Sequence, residues 1–162
     1  EIANQIKKLH TKIDNVLISV GGGGLISGVG SSLKQFFPNI KILGVEPNDA
    51  RGITESIKIN SPLSKVKINS IADSLCAPLH MPYSFNIAKN VIDRMINVSD
   101  QEMIDSMLYA FMNLKLFLEP ACVASFAALK KLNSLEFKGQ NTLILLCGSN
   151  IDYQSWNKLI KN

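Results

Sequence analysis

The feature that most constrains the fold is a run of four glycines, Gly21 to Gly24, between the apolar segment 16–20 and a helix-like segment that starts at Leu25. When a strand turns through bare glycines into a helix, the first N–H groups of that helix lack partners, and the helix dipole adds partial positive charge there. Glycine has no Cβ, so an anion can approach the backbone closely. The segment therefore predicts a strand, loop and helix that cradle a phosphate group.

Hydrophobic periodicity predicts alternating strands and helices along the rest of the chain. Strands are predicted at residues 15–20, 40–46, 94–98 and 142–147, of which the first and last are expected to be buried. Helices are predicted at residues 1–10, 25–37, 49–57, 83–92, 99–116, 120–132 and 152–161, with 58–82 mainly loop. Strands separated by helices predict an α/β fold in which a mainly parallel sheet carries helices on both faces.

The helix predicted at residues 99–116 has a clear start signal. Ser99 and Glu102 form a capping box, in which each side chain satisfies a backbone N–H of the other residue. Apolar side chains then follow at three- and four-residue spacing, which is typical of a core face. This stripe consists of Met103, Met107, Phe111 and Leu114.

Composition limits the classes of partner. The net charge is +4, but Lys and Arg are scattered and lack interleaved aromatics, so we expect no nucleic-acid binding. No apolar run approaches the roughly 20 residues of a membrane span, so we expect no membrane insertion. The three cysteines, Cys76, Cys122 and Cys147, are far apart and lack metal-binding spacing, which is typical of the reducing cytosol and predicts a cytoplasmic protein.

A dinucleotide-binding unit is the first alternative for the glycine loop. Glu46 lies 22 residues beyond Gly24, near the spacing of a ribose-binding carboxylate. The G-x-G-x-x-G pattern fails, however, because its third glycine would be Ile26 or Ser27, and no Gly-Lys-Ser/Thr follows for a P-loop. Four consecutive glycines favour a single phosphate over a pyrophosphate.

Five motifs in order carry a resemblance to a known family. Residues 20–28 (Val-Gly-Gly-Gly-Gly-Leu-Ile-Ser-Gly) resemble the phosphate-binding loop of fold-type II pyridoxal-phosphate enzymes, above all the serine/threonine dehydratases and serine racemase. The later motifs are Gly-Val-Glu-Pro at 44–47, Ile-Ala-Asp-Ser at 71–74, Leu-Glu-Pro-Ala-Cys at 118–122 and Leu-Cys-Gly-Ser-Asn-Ile-Asp at 146–152. The resemblance covers nearly the whole chain.

The resemblance implies a set of residues around pyridoxal 5′-phosphate. The glycine loop and the amide of Leu25 would hold the phosphate, Cys147 would face the pyridine nitrogen, and Glu119 would lie beside the ring. The loop around the cofactor would be shaped by Ser149 and Asn150. The implied cofactor-binding residues are Gly21, Gly22, Gly23, Gly24, Leu25, Glu119, Cys147, Ser149 and Asn150.

Two positions depart from the family pattern. Glu46 and the carbonyl of Ala50 resemble ligands of the divalent cation that several members bind, but the expected aspartate is Gly52, with Asp49 as a substitute. Ser74 stands where the family usually has a glycine close to the cofactor. A serine there would narrow the pocket or contribute a hydroxyl, so it bears on the substrate class.

The resemblance also implies that residues 1–162 form a cofactor-binding fragment of the catalytic domain. The family's Schiff-base lysine belongs to an upstream Ser-x-Lys-x-Arg-Gly-like segment, which does not occur here. Residues 32–34 (Ser-Leu-Lys) match it only superficially, because they lie in the helix after the glycine loop and lack the Arg-Gly. We expect the fragment alone to be inactive. Its exposed sheet edge would then drive pairing, with a homodimer as the expected state.

For the parent protein, the resemblance implies a lyase. It would act on L-threonine, L-serine or a related hydroxy-amino acid and release a 2-oxo acid and ammonia. An amino-acid racemase acting on serine remains an alternative, as does a non-catalytic module that binds a phosphorylated ligand.

Overall fold

A parallel sheet forms the centre of the computed structural model, which describes residues 1–132 and 136–161. Within these residues the sheet has four strands in the order β3-β2-β1-β4, all parallel. Their bounds are Asn15–Ser19 for β1, Lys41–Pro47 for β2, Arg94–Val98 for β3 and Thr142–Leu145 for β4. The register places Val16 between Ile42 of β2 and Leu143 of β4. The carboxyl ends of β1, β2 and β4 therefore meet at one edge.

Helices cover both faces of this sheet. Their bounds are Ile2–Ile6 for α1, Gly24–Phe36 for α2, Gly52–Lys58 for α3, Pro82–Val91 for α4, Asp100–Tyr109 for α5, Pro120–Ala127 for α6 and Tyr153–Lys161 for α7. Short 3₁₀ turns occupy Asn48–Ala50, Asp73–Leu75 and Ala128–Lys131. Across the described ranges, none of the helices has the length and apolar content needed to cross a membrane.

Alternating side chains of β1 feed two separate cores. Leu17 packs into a core with α5, α6 and α7, whereas Val16 and Ile18 pack into a second core with α1, α2 and α4. All three side chains are fully buried. Because successive residues of a strand point to opposite faces, this burial requires helices on both sides. The predicted α/β architecture is confirmed.

The capping box at the start of α5 is confirmed. The amide of Glu102 donates to Ser99 Oγ at 3.2 Å, and the amide of Ser99 donates to Glu102 Oε2 at 2.7 Å. Both donors would otherwise lack partners at the helix start. The sequence pattern therefore located this helix boundary correctly.

The far end of the same helix differs from the prediction. The α-helix ends at Tyr109, and a π-helical turn over Ala110–Leu114 leads to Lys115, whose φ is +59°. Met103 and Met107 are fully buried, but Phe111 and Leu114 are each 45% exposed. A π turn adds a residue to each helical turn, so the later side chains rotate off the core face. The predicted apolar stripe is therefore wrong in its second half.

Strand ends also differ from the prediction. The strand predicted at residues 40–46 extends one residue further, to Pro47, which is the last residue of β2 and lies opposite Val98. A proline is tolerated there because the end of a strand does not require its N–H. β4 was expected to be buried, but all four of its residues are half-buried, because β4 is an edge strand of the described sheet.

Candidate functional site

The glycine loop connects β1 to α2 at the carboxyl edge of the sheet. The amide of Val20 donates to the carbonyl of Val45 at 2.8 Å, so the loop leaves the sheet directly after a paired residue. Gly23 then adopts a φ of +86° and precedes the first helical residue, Gly24. A side chain would be strained at that φ, so the turn into the helix requires glycine at position 23.

The four glycines have different structural roles. A Cβ at Gly21 would lie 3.0 Å from both the carbonyl oxygen of Ser74 and the Cα of Leu75, so the close approach of that turn requires glycine. A Cβ at Gly24 would meet nothing within 4 Å, and one at Gly22 would only reach the Ala77 side chain at 4.0 Å. The fold therefore requires two glycines, while the other two leave open space beside the loop.

That open space belongs to a cavity of about 380 Å³. Small-molecule sites typically enclose about 300–1,000 Å³. The wall combines residues from the ends of β1 and β4 with two further loops, which is where ligands bind in parallel sheets. The lining residues are Ser19, Val20, Gly21, Gly22, Gly23, Gly24, Leu25, Ile26, Ser74, Leu75, Glu119, Ala121, Leu145, Cys147, Gly148 and Asn150.

Buried hydrogen bonds of Ser125 anchor α6 beneath this cavity. The amide of Ser125 donates to Ser19 Oγ at 3.1 Å. Its hydroxyl lies 3.0 Å from the carbonyl oxygen of Leu145 and donates to it. These bonds tie α6 to the ends of β1 and β4. Glu119, which directly precedes α6, is thereby held at the cavity wall.

The carboxylate of Glu119 lies at the meeting point of three segments. Its Oε2 accepts the amide of Asn150 at 2.9 Å, and its Oε1 lies 3.4 Å from the hydroxyl of Ser74. Gly148 has a φ of +130°, and a Cβ there would lie 2.5 Å from Glu119 Oε1. The loop after β4 can therefore close around this carboxylate only with glycine at position 148.

The two cysteines near the cavity differ in accessibility. Cys147 is exposed and lines the wall after β4, whereas Cys122 is buried in α6. Burial, with smaller contributions from the nearby Glu119 and Cys147, raises the pKa of the Cys122 thiol to about 11. Of these two thiols, Cys147 is thus the one available to a ligand in the cavity.

The structure brings together most of the residues implied by the resemblance. Those that line the one cavity are Gly21, Gly22, Gly23, Gly24, Leu25, Glu119, Cys147 and Asn150. Ser149 is exposed and lies outside the described wall. Sequence reasoning did not assign Gly148 to the site. Its position between Cys147 and Ser149 within a quoted motif was the available signal.

Glu46 does not face this cavity. Its Oε1 accepts the amide of Ile53 at 2.7 Å, and its Oε2 accepts the amide and hydroxyl of Thr54 at 2.9 and 2.8 Å. The side chain is only 1% exposed. Both oxygens are therefore occupied by the amino end of α3, where a carboxylate also gains from the helix dipole.

This arrangement does not fit a cation held by Glu46 and Ala50. Gly52 supplies no ligand, and its open side is covered by the imidazole of His80. Within residues 1–132 and 136–161, no group of three His, Cys, Asp or Glu side chains is placed to hold a metal ion. The expected cation ligand is instead a buried helix cap, because the α3 amides take the carboxylate oxygens.

The sequence of this chain is similar to those of known enzymes. The chain is 39% identical over 140 residues to the phenylserine dehydratase of Ralstonia pickettii, covering 86% of this chain and 43% of the relative. It is 30% identical over 144 residues to the serine racemase of Schizosaccharomyces pombe, covering 89% of this chain and 44% of the relative.

A solved structure agrees with these sequence matches. The fold superimposes on threonine deaminase isoform 2 from Solanum lycopersicum with a TM-score of 0.87 and 30% identity, covering 99% of this chain and 44% of that one. The chain thus spans less than half the length of these relatives. Residues 1–148 match the family model described as pyridoxal-phosphate dependent enzyme, and the chain therefore belongs to this family of α/β enzymes.

Proposed function

We propose that the protein containing this chain is a pyridoxal-phosphate-dependent ammonia-lyase. Its substrate would be L-threonine, L-serine or a related hydroxy-amino acid, and its products a 2-oxo acid and ammonia. The observation that carries the proposal is the single cavity in which the glycine loop meets Cys147 and Glu119. The similarity to a phenylserine dehydratase supports a substrate with a 3-hydroxyl group.

The residues of the cavity suit the cofactor. The loop amides at the start of α2 would hold the phosphate, where Gly22 and Gly24 leave space for it. The exposed thiol of Cys147 would hydrogen-bond the ring nitrogen, and Glu119 would lie beside the ring. When bound, the cofactor supplies an electron sink that weakens bonds at the α-carbon of the amino acid.

We further propose that the catalytic lysine comes from outside residues 1–162. None of the described residues that line the cavity is a lysine. A lyase of this type needs that lysine as covalent anchor and base. The chain covers 43% of the phenylserine dehydratase it resembles, which leaves ample length for such a segment in the relative. We therefore expect residues 1–162 alone to be inactive.

β4 lies at one edge of the described sheet, and this position supports pairing with another strand. An unpaired parallel edge leaves a row of N–H and C=O groups available. We propose that the chain by itself forms a homodimer. Light scattering of the purified chain should then give a mass near twice 17.8 kDa.

Reductive trapping tests the proposed function. The longest gene product that contains residues 1–162 should gain one reduced pyridoxal-phosphate adduct with borohydride and release ammonia from L-threonine or L-serine. Residues 1–162 alone should show neither, while bound cofactor still shields Cys147. A gene product without an adduct would instead support a non-catalytic binding module.

A racemase is the second candidate, because the chain is 30% identical to a serine racemase. Chiral chromatography of the same reaction separates the two. Formation of D-serine without loss of total serine would support racemisation, whereas 2-oxo acid with stoichiometric ammonia supports the lyase.

A further inference from the structure

The hydroxyl of Ser74 lies between two carboxylates at the cavity. Ser74 Oγ is 3.3 Å from Asp73 Oδ1 and 3.4 Å from Glu119 Oε1. The hydroxyl has one proton, so it donates to one of these two acceptors at a time. Asp73 Oδ1 already accepts the amide of Ser74 at 2.7 Å, whereas Glu119 Oε1 has no other described donor. The Ser74 hydroxyl would therefore be the first donor to Glu119 Oε1 but only a second donor to Asp73 Oδ1, which favours Glu119 as its acceptor.

The backbone of Ser74 is held in place by the glycine loop. Its carbonyl oxygen and the Cα of Leu75 pack so closely on Gly21 that a Cβ there would approach both to 3.0 Å. Ser74 also lies in the middle of the 3₁₀ turn Asp73–Leu75. The hydroxyl is thus presented from a turn that is fixed against the phosphate end of the cavity.

Glu119 needs such a partner to keep one orientation. Its Oε2 is fixed by the amide of Asn150, and Gly148 makes room for Oε1. Among the described residues, Ser74 is the one side chain that can donate to this carboxylate. Without it, rotation about the last side-chain bond would be restrained at one oxygen only.

We propose that Ser74 is a positioning residue of the cofactor site, which donates to Glu119 Oε1 and fixes that carboxylate beside the ligand ring. The inference rests on the proposed function for the identity of the ligand. The separation of 3.4 Å is long for an O–H···O hydrogen bond, and contacts of this kind tighten when a ligand fills the site. Ser74 thereby couples the glycine loop to Glu119 in the wall of the same cavity.

Three variants test the coupling. Ser74→Ala removes the donor, Ser74→Thr retains a hydroxyl, and Ser31→Ala is the matched control because Ser31 lies exposed on α2 away from the cavity wall. The Ser74 side chain is itself exposed, so both substitutions should fold. The first readout is the amide signal of Asn150 in a ¹⁵N–¹H spectrum of residues 1–162, since that amide bonds the same carboxylate.

The second readout is binding of pyridoxine 5′-phosphate, which cannot form a covalent bond with lysine. The third is the absorbance maximum of pyridoxal phosphate in the longest gene product that contains this chain. In Ser74→Ala we expect a shifted Asn150 amide, affinity weaker by about two- to tenfold and a displaced absorbance maximum. Ser74→Thr should restore all three, and Ser31→Ala should match wild type.

The outcomes separate the two proposals. An unchanged Asn150 amide and unchanged affinity in Ser74→Ala overturn the role of Ser74 while the proposed function stands. A Ser74→Thr protein that behaves like Ser74→Ala also overturns it, because the hydroxyl would then be irrelevant. If pyridoxine 5′-phosphate binds neither wild-type residues 1–162 nor the longest wild-type gene product that contains them, both proposals fail.

Discussion

Glu46 and Thr54 form a buried two-point contact, in which one carboxylate oxygen accepts both the amide and the hydroxyl of the threonine, at 2.9 and 2.8 Å. The other oxygen accepts the amide of Ile53 at 2.7 Å. The end of β2 is therefore joined to the start of α3 by a carboxyl group that is 1% exposed. This contact makes stability depend on pH.

We expect Glu46 to stabilise the fold most at acidic pH. Burial raises its pKa from 4.5 to about 7, while the donors on Thr54 and Ile53 act in the opposite direction. Because the folded pKa lies above the unfolded one, its contribution is fully present below about pH 4.5 and is lost as pH rises to about 7. The free energy of unfolding of wild type relative to Glu46→Gln should fall by about 3 kcal/mol over this range.

Urea denaturation of both proteins at several pH values checks this prediction. The comparison is needed because burial lowers the pKa of His80 from 6.5, so that its contribution is lost as pH falls and opposes Glu46. Subtracting the Glu46→Gln curve removes the histidine effect. A difference that is flat or rises with pH would contradict the prediction.

Gly21 and Gly24 should respond differently to alanine. Gly21→Ala places a methyl 3.0 Å from backbone atoms of Ser74 and Leu75, and should lower the free energy of unfolding by about 1–3 kcal/mol. Gly24→Ala meets open space at the start of α2 and should change stability by less than about 1 kcal/mol, in the favourable direction. Urea midpoints measure both effects.

The Gly21→Ala and Gly24→Ala variants also distinguish an effect on stability from an effect on ligand binding. Gly24→Ala should weaken binding of pyridoxine 5′-phosphate, because its methyl would occupy the space proposed for the phosphate. Equal losses of stability in both variants would show that the glycines share one structural role, contrary to the geometry.

Cys147 should react with iodoacetamide well before Cys122. At about pH 8 the Cys122 thiol is protonated, since burial raises its pKa to about 11, and it is also inaccessible. Mass spectrometry of peptides after timed labelling measures both rates. Saturating pyridoxal phosphate should slow labelling of Cys147.

Cys147→Ser provides the control for this labelling, because it should remove the fast phase and leave slow Cys122 modification unchanged. Faster modification of Cys122 than of Cys147 would be incompatible with the burial seen in α6.

Ser99→Ala should destabilise the chain by about 1 kcal/mol. The substitution removes the acceptor for the amide of Glu102, which donates to Ser99 Oγ at 3.2 Å. Urea denaturation should show a lower midpoint with an unchanged slope, and Ser31→Ala on exposed α2 should show neither. A loss below about 0.3 kcal/mol would mean that water replaces the cap fully.

Local patterns predicted those parts of the molecule that depend on near neighbours. The capping box of Ser99 and Glu102 is confirmed because both partners lie within one helical turn. The family resemblance implied that the glycine loop and Cys147 lie around one ligand, and both line one cavity because parallel strands end at a common edge. The prediction that the apolar stripe stays buried beyond Met107 was wrong, because a π-helical turn rotates the later side chains off the core face.

The sequence by itself therefore determined the α/β class, the glycine loop between a strand and a helix, and the family resemblance, because these depend on periodicity, glycine content and motif order along the chain. Only the tertiary structure decided that Glu46 caps α3, that β4 lies at an edge of the described sheet and that Ser74 faces Glu119. The physical reason is that a carboxylate takes whichever donors the folded chain brings within about 3 Å, and spacing along the sequence does not specify those donors.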